Sequence, residues 1–334
     1  RNVDAGFDPL TGHSSCLGLN LGQAIRRLKG GELHPGDLVG ANSRYVSVWD
    51  NESRVLVTQN GTLGDPGTPG NQWLFFMDDK SQKRLEAFPG GIEGALSTRR
   101  YWLGQPRPMF TKMSVMSQVT GLDNTALLPP YFPVFRGEDY TFGAMTEYLH
   151  PSSAVLEYDW CVPHLPTEAR HGSPAPEPES GRGMFNINKV ITDKALYLEG
   201  IPAETRLKTL ASHAAELAGA SDRGLISMYR KEVAENQQLE MSRLNRLLRD
   251  GRLRPPMWQS WLEQSARNVS AVTNSTAAIS DMPLLPSDLQ DGQVLDLFRN
   301  HAGDLSEALF AWEDIRNSAA HLTQSMFEDG TIMV

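Results

Sequence analysis

Apolar positions along the chain fall into two regimes that meet near residue 171. In the first, residues 17–28 predict a short helix that stops at Gly30-Gly31. Residues 45–49 and 55–58 predict two strands joined by the turn Asp50-Asn51-Glu52-Ser53. Residues 60–70 hold six Gly or Pro and read as a loop. Residues 73–77 predict a short, fully apolar strand. The prolines at 106–108 and 129–133 predict rigid extended segments, because each fixes its own φ and biases the residue before it. Residues 139–149 then predict a helix with Phe142, Met145 and Leu149 on one face, and 155–160 a strand.

The second regime is helical. Residues 224–249 place Leu225, Met228, Tyr229, Val233, Leu244, Leu247 and Leu248 on one broad stripe. That width places the helix at a bundle centre or in a dimer contact. Pro255-Pro256 interrupts the pattern and 258–279 resumes it. Ser287 and Asp304 are N-cap candidates for two more helices, with Glu307 completing a capping box after Asp304. Between the regimes, residues 171–183 are rich in Pro, Gly, Ser and Glu and read as a linker. The expected organisation is a mixed α/β domain over 1–170, a linker over 171–183, and an all-α domain over 184–334 that folds as its own unit.

Composition narrows the function classes. A 334-residue chain with 40% apolar and 21% charged residues is globular rather than disordered. Its longest apolar run is far short of the ~20 residues that cross a bilayer, so no membrane span is expected. The net charge of −9, with no block of Lys or Arg, argues against a nucleic-acid partner. Cys16 and Cys161 are the two cysteines and form no CxxC pair, which excludes a zinc ribbon or a disulfide scaffold. With no leader-type segment at the start, the expected location is the cytoplasm. G-x-S-x-G, H-E-x-x-H and the P-loop are absent, which removes the commonest hydrolase, zincin and phosphotransfer readings.

Candidate chemistry concentrates in residues 121–170. Arg136-Gly137-Glu138-Asp139 puts two carboxylates where a helix begins. There the helix dipole favours the ionised form, and an ionised carboxylate beside a pocket can act as a general base. The plain alternative for Asp139 is a helix N-cap. His164 sits between Pro163 and Pro166 just after a strand, placed to bind a metal or a phosphate, or to be an ordinary loop histidine. Arg170 could neutralise a diphosphate, and Trp160 is one of several aromatics that could stack on a sugar or fill the core. Asp78 and Asp79 follow the apolar run 73–77, as metal ligands or as turn residues.

The ordered set Pro-Pro-x-Phe-Pro (129–133), Arg-Gly-Glu-Asp-x-x-Phe-Gly (136–143) and His-x-Pro-x-x-x-Arg (164–170) resembles the acceptor half of GT-A glycosyltransferases. The resemblance covers about fifty residues closely and 1–170 loosely. It implies transfer of a sugar from a nucleotide-diphosphate donor to a hydroxyl acceptor, with inversion. Asp139 would be the base, and Glu138 a hydrogen-bonding partner. Arg136, Arg170 and Trp160 would bind substrate. His164, Asp78 and Asp79 would hold a divalent metal, Mn or Mg. The donor half of that family has no counterpart in residues 1–77, so the expectation is that it precedes Arg1. The competing expectation is a non-catalytic binding or scaffold protein whose helical domain assembles it into a homo-oligomer.

Overall fold

In the computed structural model of the chain, residues 6–32, 34, 36, 41–65, 78–98, 101–114, 119–132, 138–168, 199–251, 256–273, 278–282, 285 and 288–331 are described. The first helices are α1 (Pro9–Ser14) and α2 (Leu21–Lys29). Asn20 and Gln23 close a capping box on α2, and Gly30, at φ 76°, ends it where the sequence predicts. A single helical turn, α3 (Ser43–Val46), stands where a strand over 45–49 was expected. Local side-chain bonds explain the difference. Asn42 accepts from the Arg44 amide, and Asp50 accepts from the Glu52 and Ser53 amides. These compete with strand pairing, and the strand that follows is already paired on both edges.

That strand, β1 (Val55–Gly64), runs into the segment expected to be loop. Gly61 and Gly64 belong to the ladder rather than a turn. At Gly61 a Cβ would meet Leu103 O at 2.4 Å, so only glycine fits. Residues 66–70 and the predicted strand 73–77 lie outside the described residues. Next come α4 (Asp79–Glu86), α5 (Gly91–Ser97), β2 (Tyr101–Leu103), β3 (Met109–Thr111), β4 (Thr120–Leu122), α6 (Glu138–Leu149) and β5 (Ala154–His164). The last two elements stand where the sequence places them.

The sheet is mixed. β1 lies parallel to β5, with Val57 opposite Val155 and Gln59 opposite Glu157. On its other edge β1 pairs antiparallel with β4 near its start and with β2 near its end. β3 pairs antiparallel with β5 and closes the far side. One cluster packs Cys16, Leu21 and Ala24 against Val55, Leu156 and Trp160. Another packs Phe142 of α6 with Leu56, Val57, Leu128 and Val155. Lys112, 3% exposed, donates from Nζ to Pro151 O and to Ser153 O (3.0 Å) and lies 5.8 Å from the Trp49 ring centre. Burial lowers its pKa to about 8.

The remaining helices are α7 (Ala203–Ala218), α8 (Asp222–Arg249), α9 (Pro256–Thr273) and α10 (Asp291–Glu328), with a 3₁₀ turn at Ile279–Asp281. Asp304 lies inside α10 rather than at a cap. Phe298, Ala302, Leu305 and Leu309 continue one buried stripe through it, so the helix has no reason to stop. Ser287 lies outside the described residues, as do residues 171–183. The α8 stripe is divided: Leu225, Tyr229 and Val233 join one core, and Leu244 and Leu247 join another with Trp258 and Trp261. No helix among the described residues is long and apolar enough to cross a membrane.

The α/β part and the helical part share a core. Leu127, Phe132, Met145 and Leu149 lie in one cluster with Leu207, Leu210, Tyr229 and Phe298. Polar ties cross the same seam. Trp312 Nε1 donates to Leu128 O at 2.7 Å, Arg316 donates to Ala126 O at 2.8 Å, and Arg206 Nη1 donates to Tyr148 O at 3.3 Å.

Leu149→Ala should remove about 2–5 kcal/mol of stability. Because Leu149 is buried against the helices, the loss should move both near-UV and far-UV melts of the whole chain together. Two separated transitions, with only the first displaced, would contradict the shared core. Lys112 yields a pH test. Between pH 8 and 10.5 the unfolded chain binds more protons at this lysine than the folded one, so folded stability rises with pH there. Urea melts from pH 7.5 to 10.5 should show wild type gaining stability relative to Lys112→Met, which lacks the titrating group.

Candidate functional site

The middle of β1 carries an unusual run for a buried strand: Thr58, Gln59, Asn60 and Thr62 are each 2% exposed or less. Buried polar groups of this kind need partners. On one side His13 of α1 supplies them. Its Nδ1 lies 3.0 Å from Thr58 Oγ1 and its Nε2 lies 3.1 Å from Asn60 Oδ1. The Asn60 amide nitrogen donates to Gly61 O at 2.7 Å, which turns Oδ1 toward the imidazole. Nε2 therefore carries the proton, and Nδ1 accepts from Thr58. The ring is enclosed by Trp160 (4.9 Å, edge-on) and Tyr158 (5.8 Å), and burial lowers its pKa.

On the other side the partner is Glu157 of β5. Gln59 Nε2 donates to Glu157 Oε1 at 2.6 Å, and Gln105 Nε2 donates to Oε2. Ser114 Oγ donates to Gln59 Oε1 at 2.7 Å, which fixes that amide's orientation. Each carboxylate oxygen is thus held by one amide, with lone pairs left over. The β1–β5 register shifts between Gln59 and Gly61, where the facing residue moves from Glu157 to Cys161. Such a bulge re-aims side chains locally, and a cavity of about 300 Å³ opens there. Gln59, Asn60, Gln105, Glu157 and the indole of Trp102 line it. Trp102 is 51% exposed. Beside it lies Cys161, whose thiol pKa is pushed up chiefly by burial. Among the described lining residues Glu157 is the one charged side chain.

The residues singled out from sequence lie elsewhere. Glu138 and Asp139 open α6, in its first turn. Their charges add to burial in raising the Tyr131 pKa to about 12, and the Tyr131 ring stacks on Phe142 at 4.1 Å. Asp139 stands one turn before Phe142, whose cluster includes Val155 near the start of β5. His164 ends that strand. His164 Nδ1 is buried with no hydrogen-bond partner among the described residues. Asp78 caps α4, accepting from the Ser81 amide at 2.6 Å, and that bond lowers its pKa. Asp79 follows in the first turn of α4. Trp160 is 6% exposed and belongs to the core. Arg136 and Arg170 lie outside the described residues. Among the described residues no three His, Cys, Asp or Glu side chains converge to hold a metal. His164, Asp78 and Asp79 therefore form no common ligand set.

Sequence reasoning missed Glu157, Gln59, Gln105 and Trp102 as a group. The available signal was Thr58-Gln59-Asn60, three polar residues continuing an apolar run. Comparison of the chain with protein families, curated proteins and solved structures finds no match.

The buried histidines set a pH dependence. His13 and His150 both have pKa values lowered chiefly by burial. Below pH 6.5 the unfolded chain binds more protons at these positions, so stability falls as the pH drops. Denaturant melts between pH 7.5 and 5 should show that slope, and His13→Gln should make it shallower. An unchanged slope would mean that His13 titrates alike in both states.

Proposed function

We propose that the chain is the acceptor-binding side of a sugar-transferring protein, similar in kind to the GT-A glycosyltransferases that its 129–170 motifs resemble. The observation that carries this reading is the cavity beside β1. An amide-flanked carboxylate and an exposed indole suit a neutral polyol: hydroxyls donate to the carboxylate and accept from amides, while a sugar's C–H face packs on an aromatic ring. A cavity of about 300 Å³ is at the small end of ligand sites and fits one sugar ring. Its described lining holds a carboxylate and amides but no Lys or Arg, which favours a neutral ligand over a diphosphate. The reading therefore gives this site to the acceptor and leaves the donor to another part of the protein.

In the transfer step an acceptor oxygen attacks the donor's anomeric carbon. The bond from that carbon to the diphosphate oxygen breaks, and the nucleotide diphosphate leaves. The resemblance assigns the hydroxyl proton to the Asp139 carboxylate, with Glu138 beside it; both open α6 outside the described cavity lining.

A second reading is favoured by one observation: neither Asp139 nor Glu138 lines the cavity. In that reading the chain binds a saccharide without transferring it, and its helices form an assembly module. Asp139→Asn separates the two. It keeps the side-chain shape and loses the charge near the α6 N-terminus, which is worth about 0.3–1 kcal/mol. Transfer from a uridine-diphosphate sugar should fall at least ~10²-fold, because an amide cannot take the proton. The melt should move only slightly. Wild-type transfer in this variant would remove Asp139 from the chemistry, and no transfer by either protein would leave the binding reading.

A further inference from the structure

We infer that the cavity is one end of an amphipathic trough that takes a glycoside with an apolar aglycone: Glu157 clamps a vicinal diol, the Trp102 indole covers the sugar face, and the aglycone lies along Leu63. This rests on the acceptor reading above and names the class of acceptor.

Strand register supplies the argument. Leu63 faces Trp102 on β2 and Pro163 on β5, and Gly61 faces Cys161. Side chains two residues apart share a face of a strand. Gly61, Leu63, Trp102, Gly104, Cys161 and Pro163 therefore lie on one face. The close approaches agree: a Cβ on Gly61 would meet Cys161 Sγ at 2.6 Å and Gly104 Cα at 2.7 Å, and one on Gly104 would meet Cys161 Sγ at 2.8 Å and Trp102 Nε1 at 3.1 Å. The two glycines leave the space in which thiol and indole lie flat against the strands. The close strand backbone at Gly104 bounds the indole on one side while half of the ring stays exposed.

Beyond the indole the surface turns apolar. Leu63 is 53% exposed and Pro163 is exposed beside it. At the other end Gln59, Gln105 and Glu157 form the polar head. Three amide or carboxylate groups at one end and an indole followed by leucine at the other match a molecule with hydroxyls at one end and an apolar group at the other. A vicinal diol suits Glu157 because two adjacent O–H donors can reach both carboxylate oxygens, as other paired donors do. A ribonucleoside offers the same diol and a flat base. The run of apolar surface past the indole favours an alkyl or aryl aglycone instead.

The test uses the full chain and needs no donor. Phenyl β-D-glucoside, phenyl β-D-galactoside and phenyl α-D-mannoside are titrated against tryptophan fluorescence and by calorimetry, with the methyl glycosides and adenosine as comparisons. At least one phenyl glycoside should bind, about 10-fold or more tighter than its methyl counterpart and than adenosine. Trp102→Ala, at a half-exposed position that should leave the melt unchanged, should weaken binding at least ~10-fold. Glu157→Gln should do the same, and Leu63→Ser should abolish the phenyl-over-methyl preference. Adenosine binding as tightly as the glycosides, no binding by any of the three sugars, or binding unaffected by Trp102→Ala would each overturn the inference. Binding as expected with no transfer activity would overturn the acceptor reading and leave the trough standing. Transfer to a sugar unaffected by the Trp102, Glu157 and Leu63 variants would do the reverse.

Discussion

The parallel pairing of β1 with β5 is the constraint on which everything else hangs. These strands are distant in sequence, yet between them they line both main faces of the α/β part. A parallel pair needs a long crossover and is covered on both sides. Here α2 and the turn before it cover one face with Cys16, Leu21 and Ala24. The other takes Phe142 of α6 with Leu128. Because α6 is buried on that inner side, its outer residues Met145 and Leu149 are free to meet α7, α8 and α10. The helical part is thus attached through α6 and the 123–132 segment, where Trp312 donates to Leu128 O and Arg316 adds a second bond to Ala126 O, which also accepts from the Leu128 amide.

That pairing also explains the polar interior. A strand buried on both faces usually reads as a continuous apolar run, and β1 begins that way with Val55-Leu56-Val57. Its middle does not. Thr58, Gln59, Asn60 and Thr62 demand partners in a place with little water, where an unsatisfied group costs roughly 1–3 kcal/mol. The fold answers with His13 on one side and Glu157, Gln105 and Ser114 on the other. The network resists repacking because each member is oriented by another. Thr62 Oγ1 is the exception, buried without a partner among the described residues.

Much of the fold was legible because its signals are local. The end of α2 follows from a left-handed glycine, although its start at Leu21, set by the Asn20–Gln23 capping box, lies four residues after the start the sequence suggests; α6 follows from one apolar face, and α8 from a long stripe. What was not legible is non-local. Tyr45 to Trp49 has strand-like composition, but no edge of β1 is free to receive it, since β4, β2 and β5 occupy both. Gly61 and Gly64 look like loop residues because their reason is contact: Leu103 O and His164 O come too close for any Cβ. Asp304 and Glu307 match a capping box by spacing alone, while the buried positions of α10 run through them without a break.

The site was illegible for the same reason, and the contrast is instructive. Motif reasoning favours residues close in sequence whose chemistry is familiar, such as Glu138-Asp139 or Asp78-Asp79. In the structure Asp78 is satisfied by capping α4, an outcome that local geometry alone dictates. Glu157 is different. It lies on a strand, where an acid is disfavoured, and it is held by amides rather than by a cation. An arginine there would have consumed its acceptor capacity in a bidentate pair. Two glutamines hold the carboxylate in place while leaving it lone pairs for hydroxyl donors. The choice of amide over guanidinium leaves the carboxylate with acceptor capacity rather than closing it in an ion pair.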